Sequence, residues 1–550
     1  MSKFVHVLPV SILALTGFVA LGNPAEAGSF NFNTVVNNGD LVPDTDRLFN
    51  SYNPPSVNSN GLVVFRGRSQ GGGGQPATGI FTRNMNSPGA NILPVATRGM
   101  EVPQPNNTMA NFTEFPAFPR IDQNSDRVAS RGQSNPVWQL PDDTRLGTSG
   151  VYTQDTGPLS TGVNQLGAIA GFDFFSVPGT TPGTKFDQFP GAPGVTDGDI
   201  LVFKGNWTDE SLNPQTGVYF RNVVENGGLS PVQLIADSNT LIPGTGTEFG
   251  STAPPSAANG QAVFVGVDNE ESPTLGGIYL SSLNDPTNLQ SLVSIGGLSD
   301  LIGDLDGLKS IGEGLSFDGK SVAFWGAWGT ETFTQIVTCP DEGNQERLQF
   351  CLEESETNPN GIGGGQFAFD VLANQGIFVT DLATMGTRLV AQTGVDFSTF
   401  LFWNFSGMVP GSENEEDGEA ARWRSSAFAA LSGSQVAFKG TTGPDVETGK
   451  DGIYIQLGRD LPLMTVVETG MDGSLLDSAA AGLPITSLAI ERDGLRNGWL
   501  AIAASMGNEE ESWAGIYVTR TTPEPSSIVT LLGLGMVGLG STILKKNTKK

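Results

Sequence analysis

The stretch that decides the fold is a short unit that recurs along the chain, seen clearly in Asp199-Ile-Leu-Val-Phe-Lys-Gly205 followed by Gly217-Val-Tyr219. Its first part is an apolar run closed by a small residue, and its second part is a glycine followed by two strand-forming residues. The first part recurs at 61–67, 126–132, 199–205, 260–266, 319–326, 433–440 and, in a weaker form, 498–504. The second part recurs at 79–81, 150–152, 217–219, 277–279, 376–378, 452–454 and 515–517. Seven strands therefore have seven partners.

Two further elements precede each copy of this unit. One is a turn rich in proline and serine, clearest in Asn53-Pro-Pro-Ser56 and Pro254-Pro-Ser256. The other is a strand such as Asn33-Thr-Val-Val-Asn-Asn38 or Met464-Thr-Val-Val-Glu468. Each unit supplies about four short strands and repeats about every 60–70 residues. The fifth unit is longer, because an insertion of about residues 329–375 interrupts it.

One four-stranded sheet cannot bury both of its faces, whereas seven sheets in a ring can pack on their neighbours. We therefore predict an all-β fold, a seven-bladed β-propeller over residues 28–520. Tandem β-sandwich domains are the alternative. The order of elements leaves a first strand at the N-terminus and a last unit without one, so residues 32–38 are expected to pair with the sheet formed by 485–520 and close the ring.

The charge and the histidine content exclude several functions. The chain has a formal net charge of −28, which disfavours nucleic acid as a partner. Its one histidine, His6, lies in the N-terminal segment discussed below, so the remainder has no histidine for a catalytic triad or a zinc site. A carboxylate pair like that of glycosidases is the catalytic chemistry still open.

The two cysteines, Cys339 and Cys351, both lie in the insertion. In an exported protein, a disulfide between them is expected. The alternative, a reactive thiol, has no nearby basic cluster to lower the pKa of a cysteine.

Several loops that join the two best-marked strands of a unit are acidic. If these loops lie on one face, they form a rim whose oxygen ligands suit Ca²⁺. The alternative is that exposed hairpin tips are simply polar. The residues of this candidate calcium rim are Asp209, Glu210, Asp268, Glu270, Glu271, Glu509 and Glu510.

Both ends of the chain have the pattern of export signals. At the N-terminus, Lys3 precedes an apolar stretch, and Ala25-Glu26-Ala27 is an A-x-A cleavage site, which predicts a signal peptide over residues 1–27 and a mature start at Gly28. At the C-terminus, Pro523-Glu524-Pro525 precedes the uncharged run Ile528–Leu544 and a tail with four lysines. That run predicts a transmembrane helix, with the lysines on the cytoplasmic side.

The order of motif, span and basic tail over residues 521–550 resembles the PEP-CTERM sorting signal of bacteria, and Pro523, Glu524 and Pro525 match its motif. The resemblance implies an exosortase-type membrane protease as partner. It further implies export through the inner membrane, anchoring there by the C-terminal helix, and a final place at the cell surface or outside the cell.

These observations predict a non-enzymatic cell-surface or extracellular-matrix protein. Its expected partner is an exopolysaccharide or another surface polymer. The competing hypothesis is an extracellular carbohydrate-active enzyme that uses a carboxylate pair.

Overall fold

In the computed structural model, the described residues are 26–27, 30–71, 75–104, 110–134, 138–139, 145–146, 149–340, 344–394, 396–407, 409, 420–443, 446 and 448–521. Nearly all of their strands lie in seven mainly antiparallel sheets, which we number along the chain.

The strands of the seven sheets follow one another along the chain with two exceptions. Both precede sheet 1 in sequence: Glu26–Ala27 belongs to sheet 6, and Phe32–Asn37 belongs to sheet 7. Sheet 1 contains Phe49–Tyr52, Ser56–Val57, Leu62–Ser69, Thr78–Asn84 and Leu93–Thr97. Sheet 2 contains Phe112–Glu114, Arg120–Ile121, Val128–Ser134, Gly150–Gln154 and Ser160–Asn164. Sheet 3 contains Gly194–Thr196, Ile200–Thr208, Pro214–Asn222 and Gln233–Asp237. Sheet 4 contains Ser251–Thr252, Ser256–Ala258, Gln261–Val267, Gly276–Ser282 and Asp285–Ser294. Sheet 5 contains Leu308–Ile311, Ser316–Phe317, Ser321–Thr338, Gly361–Gly363, Gln366–Asp381 and Gly386–Gln392. Sheet 6 contains Phe397–Thr399, Ala429–Ser432, Gln435–Thr442, Lys450–Gln456, Leu463–Glu468 and the short parallel strand Glu26–Ala27. Sheet 7 contains Ile485–Ala489, Leu495–Arg496, Trp499–Gly507, Ser512–Arg520 and Phe32–Asn37.

Helices and two small hairpins complete the described structure. The α-helices are Ser299–Ile302 and Gln345–Thr357. The 3-10 helices are Gln165–Ala168, Asp173–Phe175, Glu225–Gly228, Gly473–Leu475 and Ser478–Ala480. The small hairpins pair Trp138–Gln139 with Arg145–Leu146, and Phe402–Ser406 with Arg422–Ser426.

The recurring glycine and tyrosine of the sequence pack on an aromatic ring from the first strand of the sheet. In sheet 2, a Cβ built on Gly132 would lie 2.6 Å from the ring of Phe112, so a larger residue would displace that ring. The same ring meets Tyr152 edge-on, with 4.8 Å between the ring centroids. Sheet 1 repeats the arrangement with Gly67, Phe49 and Phe81. The repeated sequence therefore builds a repeated core within each sheet.

A short strand from each sheet takes part in a closed circle of contacts. Each of these seven strands, which we call the inner strands, contacts the inner strands of the preceding and following sheets. They are Ser56–Val57, Arg120–Ile121, Gly194–Thr196, Ser256–Ala258, Ser316–Phe317, Ala429–Ser432 and Leu495–Arg496, and the last contacts the first. The sheets thus meet at a common centre.

The turns that follow the inner strands also bond to one another, and we call this side of the molecule the turn end. Asn497 illustrates the pattern, because it donates to the Ser432 hydroxyl at 2.9 Å and to the Ser59 carbonyl at 3.3 Å, which joins sheets 6, 7 and 1. Asn497 and Gly498 have φ values of 45° and 79°, the left-handed pair that a two-residue Asn-Gly hairpin turn requires. The opposite side is the loop end. It carries the insertion and the loops between the two long central strands of each sheet, such as Ile200–Thr208 and Pro214–Asn222 of sheet 3.

Closure through the N-terminal strand follows the order of elements in the sequence. Phe32–Asn37 pairs antiparallel with Ser512–Arg520, the last described strand. Val35 and Val36 are fully buried in the core between sheets 7 and 1. The predicted pairing of residues 32–38 with the sheet formed by 485–520 is therefore confirmed.

The prediction of membrane anchoring is wrong for the described chain. No helix there is long and apolar enough to cross a membrane, and the longest, Gln345–Thr357, has 13 residues. The predicted transmembrane helix Ile528–Leu544 lies outside the described residues.

Candidate functional site

Two groups of arginines lie at opposite ends of the molecule. The first, which we call the central cluster, consists of Arg120 from sheet 2 and four residues of the loop that leads into the inner strand of sheet 7. Those four residues are Glu491, Arg492, Asp493 and Arg496, and all five side chains are buried. The second, the arginine patch, consists of Arg66, Arg68, Arg98 and Arg347 with Glu114.

The loop of the central cluster bonds to all six other sheets. Its backbone accepts hydrogen bonds from Val57 N at 3.0 Å and from the Ser316 hydroxyl at 2.6 Å. Arg492 donates to the carbonyls of Ala192 at 3.1 Å and Pro254 at 3.3 Å. The remaining bonds reach Arg120 in sheet 2 and Leu431 in sheet 6. This loop therefore closes the centre of the molecule near the turn end.

Ion pairs compensate most of the charge in the central cluster. Arg120 lies 2.7 Å from Asp493 and also contacts Glu491, while Arg496 contacts Asp493. Burial alone would raise the pKa of Asp493, but the three guanidiniums around it hold that pKa below its usual value. Burial and the neighbouring Arg120 lower the pKa of Arg492 to about 10, although the carboxylates around it act in the opposite direction. Asp493 is therefore ionised at neutral pH.

The arginine patch lies toward the loop end, where sheets 1 and 2 meet. One Glu114 oxygen lies 2.8 Å from Arg66, and the other lies 3.3 Å from Arg98. Arg98 also donates to the carbonyl of Thr113 at 2.8 Å. Burial would raise the pKa of Glu114, but Arg66, the Phe115 N–H and Arg98 together lower it. One ionised glutamate thus lies between two guanidiniums.

Among the described residues, the other two arginines of the patch have no partner. Arg68 and Arg347 are half-buried, and neither side chain has a hydrogen-bond or ion-pair partner in the described part of the chain. Burial and the charges of Arg66 and Arg68 lower the pKa of Arg347, and the charges of Arg68 and Arg66 act in the same direction on Arg98. The charges of Arg66 and Arg68 therefore act unfavourably on both Arg98 and Arg347. The patch has an excess of positive charge in a chain whose net charge is −28.

The insertion brings Arg347 to the patch on a firmly held helix. The side chain of Asn344 caps Gln345–Thr357 by accepting from Arg347 N at 2.9 Å. Cys351 in this helix forms a disulfide with Cys339, and the Cα atoms are 6.0 Å apart. The Ser355 hydroxyl accepts from Gly365 N at 2.9 Å, which ties the helix to the adjoining strand.

Aromatic side chains stabilise the base of the insertion. Trp403 of the Phe402–Ser406 hairpin stacks on Phe369, with 4.2 Å between the ring centroids and 16° between the planes. Trp423 meets Phe405 and Phe367 edge-on at 5.4 and 5.6 Å. The long strands of sheet 5 and this hairpin therefore form one unit that projects from the loop end.

The candidate calcium residues do not come together. Asp209 accepts from Ser211 N and Asn213 N at 2.8 Å, and Asp268 accepts from Thr274 N at 2.9 Å, so both carboxylates hold their own loops. Glu270 accepts from the Ser251 hydroxyl at 2.9 Å. Glu210 contacts Thr181, while Glu271, Glu509 and Glu510 are exposed. The described residues contain no cluster of three or more acidic, histidine or cysteine ligands. Calcium binding stays a prediction.

The predicted sorting residues fall mostly outside the described chain. Pro523, Glu524 and Pro525 lie there, as do Ala25 and Gly28 of the predicted signal cleavage site. Ala27 belongs to the two-residue strand that pairs with Met464–Thr465. The sorting signal and its exosortase partner remain predictions.

A carboxylate pair for glycosidic cleavage needs one protonated and one ionised group. Among the described carboxyl groups with a shifted pKa, only Asp197 has a raised one, because of burial and the nearby charges of Asp122 and Asp199. Asp122 accepts from Gly198 N at 2.9 Å and caps its own turn, so these acids join the turns of sheets 2 and 3. The sequence analysis identified no specific pair of catalytic carboxylates, and it did not identify the arginine patch.

Comparison with solved structures gives only distant likenesses. The chain aligns with the crystal structure of the polysaccharide lyase Uly1 at 10% identity and a TM-score of 0.40, over 92% of this chain and 94% of that one. A neuraminidase-like protein of subtype N11 from A/flat-faced bat/Peru/033/2010 (H18N11) aligns at 9% identity and a TM-score of 0.29, over 91% and 97% of the two chains. The α-L-arabinofuranosidase PaAbf62A from Podospora anserina aligns at 8% identity and 0.24, over 66% and 96%.

These comparisons correct one expectation from the sequence. The prediction that the chain is not an enzyme is contradicted, because the solved structures that it resembles include a polysaccharide lyase and glycoside hydrolases. No curated protein sequence matches the chain. The model of one family, described as a family of unknown function, matches residues 24–327, more than half of the chain. The chain therefore belongs to the DUF7453 family.

Proposed function

We propose that this protein is a carbohydrate-active enzyme that acts on an acidic polysaccharide, and that the arginine patch binds the anionic groups of the substrate. The observation that carries the proposal is the pair Arg68 and Arg347 on an acidic protein, because both guanidiniums are half-buried and have no partner among the described residues.

The chemistry of the patch suits carboxylate or sulfate groups on a polymer. A guanidinium binds such groups through two parallel N–H donors, and it stays charged even when it is partly desolvated. Arg66 and Arg98 are engaged by Glu114, which leaves Arg68 and Arg347 free to bind a ligand. An anion between them would also relieve the mutual repulsion that lowers the pKa of Arg347.

The position of the patch allows a polymer to reach it. Arg68 lies near the end of its strand at the loop end, and Arg347 lies on the insertion from sheet 5. A chain bound between them would cross the loop end, while the loop of the central cluster closes the opposite side. Substrate would therefore bind across this face of the molecule.

We infer further that the seven sheets are the blades of a seven-bladed β-propeller. The closed circle of inner-strand contacts supports this arrangement, as does the pairing of Phe32–Asn37 with Ser512–Arg520. In tandem β-sandwiches, Leu495–Arg496 would have no reason to contact Ser56–Val57.

The test is binding and turnover with polysaccharides that differ in charge. The protein is titrated with polygalacturonate, dextran sulfate and neutral dextran, and new reducing ends and the ultraviolet absorbance of an unsaturated uronate are followed. We expect binding of charged polymers only, together with turnover of a uronate polymer. New reducing ends together with the ultraviolet absorbance of an unsaturated uronate indicate elimination. New reducing ends without that absorbance indicate hydrolysis. Equal binding of neutral dextran, or binding without any turnover across acidic polymers, would contradict the proposal.

Substitutions in the arginine patch test whether the acidic polymer binds there. The double variant Arg68→Gln, Arg347→Gln removes both unpartnered charges and no described ion pair, so it should fold normally. Its affinity for the acidic polymer should fall at least about tenfold, because each charge-assisted contact contributes on the order of 1.5–3 kcal/mol. The control is Arg459→Gln, an exposed arginine 3.8 Å from Asp381 and outside the patch. Equal losses in both proteins would mean that only the total charge matters.

A further inference from the structure

The arginine patch carries more positive charge than one carboxyl group of a substrate can balance. It contains four guanidiniums, and among the described residues Glu114 is the one carboxylate whose charge acts on the pKa of Arg98 and of Arg347, which leaves an excess of three positive charges. Salt screens charges that lie more than about 8–10 Å apart, so only anionic groups close to the patch can balance this excess. A densely charged polymer is therefore favoured over one with widely spaced charges.

The two guanidiniums without a partner among the described residues belong to different parts of the chain. Arg68 lies on a strand of sheet 1, and Arg347 lies on the helix of the insertion in sheet 5. The charge of Arg68 acts unfavourably on Arg347, because it lowers the pKa of that guanidinium. An anionic group that binds both must therefore offer acceptor oxygens to two separate sets of N–H donors.

The face of sheet 1 that carries Arg68 has further polar groups without partners. Thr78 lies directly opposite Arg68 in the sheet, and its carbonyl accepts from the backbone N–H of Arg98 at 2.9 Å. The Thr78 hydroxyl is buried and has no partner among the described residues. The same holds for Nε of Arg66, which lies two residues before Arg68 and therefore on the same face of the strand. The donors of the patch thus exceed the acceptors that Glu114 supplies.

Sulfate half-esters meet these requirements better than carboxylates do. In a bidentate pair, one guanidinium takes both oxygens of a carboxylate through two parallel N–H bonds. A sulfate half-ester has three terminal oxygens around a tetrahedral centre, so it can accept from one guanidinium and still offer an oxygen to a second. A sulfate on a uronate polymer also adds negative charge without lengthening the chain, which suits the charge excess of the patch.

We propose that the acidic polysaccharide is sulfated, and that one sulfate half-ester binds between Arg68 and Arg347. This inference rests on the function proposed above and narrows its substrate class. Arg66 and Arg98 are held by Glu114 and mainly add positive charge around the bound group.

The first experiment compares polymers that have similar densities of negative charge but different anionic groups. All the charges of polygalacturonate are carboxylates, whereas half of those of chondroitin sulfate are sulfates. In titration calorimetry at one ionic strength, we expect chondroitin sulfate to bind at least about tenfold more tightly, because an additional charge-assisted contact is made. Unsulfated chondroitin, which has the same backbone, should bind more weakly than chondroitin sulfate. If either carboxylate polymer binds as tightly as chondroitin sulfate, the sulfate proposal is overturned and the acidic polysaccharide remains as the substrate.

The outcome for the proposed function is read separately, from turnover. The absence of turnover with every acidic polymer would contradict the proposed function, whereas the comparison of affinities would still decide which anionic group the patch binds. Equal binding of neutral dextran would contradict both proposals.

Variants and a crystal locate the sulfate. The double variant Arg68→Gln, Arg347→Gln should lose the preference for chondroitin sulfate over polygalacturonate, while Arg459→Gln, outside the patch, should keep it. A preference that survives in the double variant would overturn the proposal. Crystals of the wild-type protein with a sulfated tetrasaccharide should show a sulfate within hydrogen-bond distance of both Arg68 and Arg347. A carboxylate in that position would also overturn it.

Discussion

The central cluster and the arginine patch use the same residue type in opposite ways. In the central cluster, three arginines face two carboxylates and many carbonyls, and all five charged side chains are buried. In the patch, Glu114 pairs with two of the four arginines, and the Arg66, Arg98 and Glu114 side chains are 19–31% exposed. Pairing and burial therefore distinguish an arginine that holds the fold from one that is available to a ligand.

The difference also separates residues that determine stability from residues that determine binding. Removing a partner in the central cluster leaves a buried charge uncompensated, whereas removing a charge from the patch relieves repulsion. Substitutions at the first site should mainly change the free energy of unfolding, and those at the second should mainly change affinity. The predictions below test this division.

The largest effect is expected from Asp493→Asn. This change keeps the shape of the side chain but leaves Arg120 and Arg496 without their shared carboxylate. We expect the free energy of unfolding to fall by about 3–5 kcal/mol, as for other broken buried ion pairs. Urea denaturation measures it. The control is Asp306→Asn, an exposed ion pair with Lys309 that should contribute less than about 1 kcal/mol.

The pH dependence of stability should come from the same carboxylate. The pKa of Asp493 is lowered in the folded protein, so its contribution is present above the usual carboxyl pKa and is lost as pH falls through the lowered value. The wild-type protein should therefore lose more stability than Asp493→Asn between about pH 5 and about pH 2. Urea denaturation at both pH values measures the difference, and parallel losses would show that Asp493 is not the cause.

Much of the fold could be predicted from the sequence, because its signals are local. The apolar run that opens Ile200–Thr208 and the small residue that closes each such run indicate strands and partners without knowledge of the whole chain. The pairing of Phe32–Asn37 with the last sheet follows from element order alone. Counting copies of one unit was therefore informative even without a recognisable catalytic motif.

The two arginine sites could not be predicted, because topology alone brings their residues together. Glu491-Arg492-Asp493 has the composition of an exposed charged turn, yet it is among the most buried segments of the chain. Arg68 and Arg347 are neighbours in space but belong to sheet 1 and to the insertion. The sequence did contain one signal for a basic site in this acidic protein. A basic residue directly precedes the glycine that closes the strand in four units, at Arg66, Arg131, Lys204 and Lys439.

Salt is expected to have a moderate effect on the affinity of the patch for an acidic polymer. The affinity of the wild-type protein for polygalacturonate should fall steeply as sodium chloride increases, because partly exposed charges are screened. Arg68→Gln should bind more weakly at low salt and show a shallower dependence, while its unfolding free energy stays within about 0.5 kcal/mol of wild type. Titration calorimetry at several salt concentrations measures both slopes. An unchanged slope would place Arg68 outside the binding surface.

The sharpest contrast with Asp493 is expected from Glu114→Gln. Asp493 and Glu114 each lie between two arginines, but Glu114 is partly exposed. The neutral amide of the variant can also keep a hydrogen bond to Arg66. The loss in unfolding free energy should stay near 1 kcal/mol or less. Affinity for the acidic polymer should rise, because the one carboxylate that competes with the ligand for these guanidiniums is removed. If affinity falls instead, Glu114 orients the arginines for the ligand, and the division between structural and binding arginines does not hold at this site.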